Sequence, residues 1–122
     1  MTSGLSVEHN LDTASRLLAQ AATGGAVLAV LPENFALMAR QERDKRAIAE
    51  DDGRGPVQDR LAELASKLRL TLVAGTFPLR VPGESRMAAA SLVYGPDGTR
   101  LGRYDKIHLF DVDLPSGESW RE

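Results

Sequence analysis

Two side chains in this sequence have a type and setting that could carry chemistry. Glu33 closes the apolar run "VLPENF", residues 30–35, immediately after a proline. A carboxylate just past the carboxyl end of a strand lies where layered α/β folds hold their reactive groups, and partial burial there would raise its proton affinity toward that of a general base. Read alone, Glu33 also has the look of the solvated acids that end most strands. Lys106 sits in "YDKIHLF", residues 104–110, an otherwise β-prone segment. Period-2 alternation sends Lys106, His108 and Phe110 to one face and Asp105, Ile107 and Leu109 to the other. On a face that meets a cleft, the ammonium could donate to an oxyanion; on an edge strand, a lysine there would instead discourage aggregation.

The remaining composition removes several kinds of chemistry. There is no cysteine and only two histidines, His9 and His108. Disulfides and thiolate metal sites are therefore excluded within these residues, a transition-metal site is not expected, and no thiol nucleophile is present. The 122 residues are 43% apolar and 26% charged, an ordinary globular balance for one domain's worth of chain. With 15 basic and 17 acidic residues scattered to a net charge of −2, nothing forms a phosphate-tracking surface, so nucleic acid is not an expected partner. No apolar run approaches the roughly 20 residues of a membrane helix, and the N-terminus lacks the order of a signal peptide, so the expectation is a cytoplasmic protein with no membrane partner.

The elements that would position Glu33 and Lys106 follow from periodicity. Val7, Leu11, Ala14, Leu18 and Ala21 recur at steps of four, three, four and three, predicting an amphipathic helix from Ser6 to about Thr23, stopped by Gly24-Gly25. "AVLAVL", residues 26–31, is apolar on both faces, which suits a buried strand better than an edge strand. The charged run "RQERDKRAIAEDDGRG", residues 40–55, reads as a solvated helix face followed by a loop. Pro56 opens a second helix with a stripe of Val57, Leu61, Leu64, Ala65 and Leu68. "LTLVAGT" (70–76) is a second buried strand and "FPLRVPGESR" a loop, and "MAAASLVY" (87–94), "GPDG" (95–98) and "TRLGRYDKIHL" (99–109) read as strand, turn, strand.

Two helix-then-strand units in succession imply a layered α/β fold. Met1–Gly4 leads straight into a helix and "PSGESWRE" ends in polar sequence without a closing element. Four strands and two helices would leave sheet edges and one sheet face uncovered, so a fragment of a larger domain is expected.

Four stretches carry a resemblance to a known family. "VLPENFALM" (30–38), "VAGTFPL" (73–79), "LVYGPDG" (92–98) and above all "GRYDKIHLFDVDLP" (102–115) resemble the carbon–nitrogen hydrolases of the nitrilase superfamily, in the omega-amidase-like and deaminated-glutathione-amidase-like branch. The resemblance spans almost the whole chain. It implies a partial αββα sandwich, a nitrilase-like four-layer fold that commonly forms a homodimer, with no metal or organic cofactor. It also implies a Glu-Lys-Cys triad in which Glu33 matches the general base and Lys106 the lysine. A thiolate would attack a small-molecule amide carbon, and water would then cleave the acyl-thioester. These roles require Glu33 and Lys106 to converge on one pocket.

The family's cysteine lies some tens of residues beyond the lysine motif, past Glu122, and its first strand would precede Met1. Residues 1–122 are thus expected to be a partial hydrolase domain, incomplete at both ends, lacking the first strand and the cysteine-bearing C-terminal half, and inactive alone. Relatives often carry a second acid in the loop before "MAAASLVY", for which Glu84 is a loosely placed candidate, and a Tyr-Asn pair where this chain has Ala88-Ala89. His108 and His9 read as non-catalytic, and Trp120 as buried or interfacial. A Rossmann-like nucleotide site fits poorly, because Gly24-Gly25 precedes its strand whereas a phosphate-cradling glycine turn follows one. The alternative from another class is a non-catalytic remnant or interaction module that binds a partner through its exposed sheet.

Overall fold

In the computed structural model, which describes residues 1–108, 112–117 and 119–120, helix α1 (Val7–Thr23) starts where the Ser6 hydroxyl accepts from the His9 amide at 3.3 Å. That bond satisfies one of the N–H groups a helix start leaves without a partner. The helix ends at Gly24, whose amide bonds back to the Gln20 carbonyl at 3.0 Å, and Gly25 follows at φ +88°. Ala14 and Leu18 are buried on the expected face, with Val7 and Leu11 partly buried beside them.

Strand β1 (Leu28–Val30) comes next, then helices α2 (Glu42–Ile48) and α3 (Pro56–Leu68) and strands β2 (Thr71–Arg80), β3 (Met87–Tyr94) and β4 (Arg100–Asp105). They form one sheet in the order β1-β2-β3-β4, parallel between β1 and β2 and antiparallel thereafter. A two-residue pair, β5 (Val112–Asp113) with β6 (Ser119–Trp120), lies in the tail that the sequence suggested had no such element. Among the described residues no helix is long and apolar enough to cross a membrane.

The core lies between the sheet and the α1–α3 layer. Alternate residues of β2 (Leu72, Ala74) and β3 (Ala90, Leu92, Tyr94) meet Leu61, Leu64 and Ala65 of α3, as period-2 and helical stripes demand. Burial pushes the Tyr94 phenol up to about 12, so it stays neutral in the core at any ordinary pH.

Three sequence expectations change. The apolar run 26–31 forms only a three-residue strand at the sheet edge, with Leu28 and Val30 exposed at 55% and 67%. An apolar run is buried on both faces only where layers cover both; here Ala29 and Leu31 face the core, and among the described residues no layer covers the face with Leu28 and Val30. Phe77–Arg80, read as loop, continue β2: a bulge between Ala74 and Phe77 resets the register, after which Phe77 pairs with Ala90 and Arg80 with Met87. Strand β4 ends at Asp105 rather than reaching 109.

The charged run 40–55 does supply an exposed helix, α2, but it also holds a buried carboxylate. Glu50 is 7% exposed and accepts from the Val57 amide at 2.7 Å, the Gln58 amide at 3.2 Å and the Gln58 side chain at 3.1 Å. The acid therefore caps α3 from outside the helix, opposite Gly55 at φ +144°, where any Cβ would fall 2.2 Å from the Glu50 carboxyl carbon. Glu50→Ala should destabilise the chain by about 3 kcal/mol, because two buried amides lose their acceptor, while the Gln58 carboxamide keeps the Asp51 and Arg54 carbonyls. Urea unfolding measures this, and a midpoint equal to wild type would rule out the capping role.

Next to it, Asp52 takes hydrogen bonds from Arg100, and Arg103 approaches it at 3.0 Å. The Arg100 bond, with help from Arg103 and against partial desolvation, holds the Asp52 carboxyl below its ordinary value. This pairing ties β4 to the loop before α3.

Candidate active site

The turn that carries Glu33 is fixed by backbone packing. The Leu31 amide still pairs with the Val73 carbonyl at 2.8 Å, after which Pro32 removes the next donor and the chain leaves the sheet. Beneath the turn runs Gly75: a Cβ there would sit 2.1 Å from the Pro32 carbonyl oxygen and 2.5 Å from that of Leu31. Only a glycine lets the two backbones come so close, and it does so at the β2 bulge. Asn34 then takes the left-handed conformation, φ +55°, and donates its amide to the Thr76 hydroxyl at 3.2 Å.

Beyond the turn the chain is pinned from the other side. Phe35 is fully buried against Phe77, with ring centroids 6.3 Å apart. The Ser3 hydroxyl donates to the Phe35 carbonyl at 3.1 Å, and the buried Asn10 carboxamide donates to the Ala36 carbonyl at 2.9 Å. Glu33 is thus held on a short segment anchored at Leu31, Asn34 and Phe35. The sequence pointed to Pro32 alone; a glycine inside a strand pattern is the signal that could have revealed Gly75.

Lys106 is the first residue after β4. Its amide donates to the Ala89 carbonyl at 2.9 Å, which carries the β3–β4 register one residue further and sets the direction of the side chain. Its Nζ donates to Glu33 Oε1 at 3.0 Å. The structure therefore brings together the two residues that the sequence singled out, from opposite edges of the sheet. Partial burial of Glu33 was expected, but its side chain is 51% exposed, against 26% for Lys106. A pair this open stabilises the fold by no more than about 1 kcal/mol. Chemically, a carboxylate and an ammonium so placed are able, respectively, to accept a proton and to donate to a developing negative charge.

The other candidates lie elsewhere. His9 and His108 are exposed. Glu84 lies in an exposed loop and lines a cavity with Arg46, Arg80 and Arg86, apart from the Glu33 turn. Leu109 and Phe110 and the Trp120 side chain lie outside what is described. Beside the Glu33–Lys106 pair runs a separate cleft, bordered by Asn34, Thr76, Ala88 and Ala89 and, from α2, by Glu42 and Lys45. Sequence reasoning placed α2 in solvent and missed that its polar face borders this cleft.

Comparison with known proteins supplies the context. The family profile described as carbon-nitrogen hydrolase matches residues 1–122. A deaminated glutathione amidase from Synechocystis is 38% identical over 125 aligned residues, which cover all of this chain and 44% of the relative. Human omega-amidase is 33% identical over 115 residues, covering 93% of this chain and 40% of that protein. Among solved structures, Saccharomyces cerevisiae Nit3, a member of branch 10 of the nitrilase superfamily, superposes with a TM-score of 0.77 at 22% identity over 93% of this chain and 48% of its own. The α/β fold seen here is that of these structures, and the chain spans less than half the length of each of the three.

Proposed function

This chain belongs to the carbon–nitrogen hydrolase family, and on that basis we propose that it supplies the base and the oxyanion donor of an amidase acting on a small carboxylate-bearing amide. The observation that carries the reading is the 3.0 Å contact between Lys106 Nζ and Glu33 Oε1 at the rim of the sheet. The names of the relatives, deaminated glutathione amidase and omega-amidase, support the substrate class. With no cysteine among the 122 residues, the thiol nucleophile comes from polypeptide outside them, and the chain alone is inactive.

In this mechanism Glu33 takes the thiol proton and the thiolate adds to the amide carbon. The C=O electron pair moves onto oxygen, and the resulting anion is held by Lys106. The C–N bond breaks as Glu33 returns the proton to the leaving nitrogen, so ammonia departs and an acyl-thioester remains. Glu33 then deprotonates water, which attacks the thioester carbon; the C–S bond breaks, and the thiolate recovers the proton from Glu33. By the family resemblance, the acting form is a homodimer.

The test compares the full-length polypeptide with residues 1–122 on succinamate. The expected result is ammonia release and an acyl adduct in the acid-quenched mass spectrum from the former, and neither from the latter. Hydrolysis by residues 1–122 alone, or turnover without any acyl-enzyme under conditions that trap one, would overturn it.

A further inference from the structure

The cleft beside the Glu33–Lys106 pair is bordered by two groups of residues of different character. One group adjoins the reactive pair, neither member of which lines the cleft itself: Asn34 follows Glu33 in the chain, and the Ala89 carbonyl holds the Lys106 amide at 2.9 Å. The other is set by α2, which starts at Gln41 through a reciprocal cap with Asp44. That start fixes the rotation of the helix, and residues three apart share a face. Glu42 and Lys45 consequently both border the cleft. The other residues bordering it, Thr76, Phe77, Pro78, Met87 and Ala88, carry no charge.

Lys45 is the one cation bordering the cleft among the described residues. Its neighbours on α2 are engaged: Asp44 accepts from the Gln41 amide at 3.1 Å and lies 3.9 Å from Arg43. Among the described residues the half-buried Lys45 makes no hydrogen bond or ion pair, even with Glu42 one turn away. A half-buried lysine with no partner among the described residues, bordering a cleft next to the reactive pair, is suited to bind an anionic group on a molecule held there.

We propose that Lys45, which α2 places on a cleft next to the reactive pair, is the specificity-determining counter-ion for the substrate's remote carboxylate. The inference rests on the amidase reading above. Glu42, on the same wall, opposes an incoming anion and so limits how tightly it is held.

The test uses the full-length polypeptide and the ratio of kcat/KM for succinamate to that for butyramide, its neutral analogue. Lys45→Met should lower this ratio at least about tenfold, through KM for succinamate, because a hydrogen-bonded charge pair is lost only for the anionic substrate. Lys45→Arg should restore most of it, and Glu42→Gln should raise it by removing a like charge. Equal losses on both amides in Lys45→Met, or a ratio that does not move, would overturn the inference while leaving the hydrolase reading intact. Failure of the wild-type enzyme to hydrolyse either amide would remove the hydrolase reading and this inference together.

Discussion

Lys106→Ala in the full-length enzyme should lower kcat for amide hydrolysis about a thousandfold while leaving the thermal midpoint within a degree or two of wild type. The two halves of this expectation have separate causes. In the proposed mechanism the ammonium donates to the oxygen that becomes negative in the transition state, and removing one such donor typically costs on the order of a hundred- to a thousandfold. Stability hardly changes, because the Lys106–Glu33 pair is open to solvent, with side-chain exposures of 26% and 51%. Glu33→Gln should behave likewise, since the amide keeps the shape and loses the proposed base. Steady-state kinetics and a thermal melt on the same preparations decide the matter. Turnover within about tenfold of wild type in either variant would strip that residue of its role.

The second large effect is expected at a residue with no chemistry of its own. Gly75→Ala should destabilise the chain by about 3 kcal/mol and lower kcat of the full-length enzyme even at temperatures where the variant is folded. The added Cβ would meet the Pro32 carbonyl oxygen at 2.1 Å and its carbon at 2.4 Å. Both are backbone atoms, so no rotamer change relieves the overlap, and either the β2 bulge or the Glu33 turn must shift. Gly102→Ala is the control: it too lies in a strand, but a Cβ there meets nothing within 4 Å. That change should be neutral or slightly stabilising through the unfolded chain. Urea midpoints for the two variants should therefore separate clearly, and coincident midpoints would show that the close approach does not constrain the site.

Much of the local architecture was legible along the chain. Ser6, Gly24 and Pro56 mark helix boundaries through effects that act within a turn: a cap, a chain reversal and a missing donor. The run 87–94 and the Pro96-Asp97-Gly98 turn were legible for the same reason, since alternation and turn geometry are properties of neighbours. Glu33 and Lys106 could be named as candidates from their settings, with their roles suggested by the resemblance.

Their meeting could not be read that way, nor could the surroundings that matter most. Whether β2 stops at Thr76 or resumes at Phe77 depends on β3 being there to pair with it. Whether Glu50 is solvated or buried depends on the amides of α3, and whether α2 faces water or a cleft depends on where β2 and β3 place their ends. Sequence by itself determined the elements and the residues able to do chemistry, because propensity, capping and periodicity are local. Only the tertiary structure decided which of those residues share a site, because contacts between distant segments are selected by how closely two backbones can pack, as at Gly75 and Pro32.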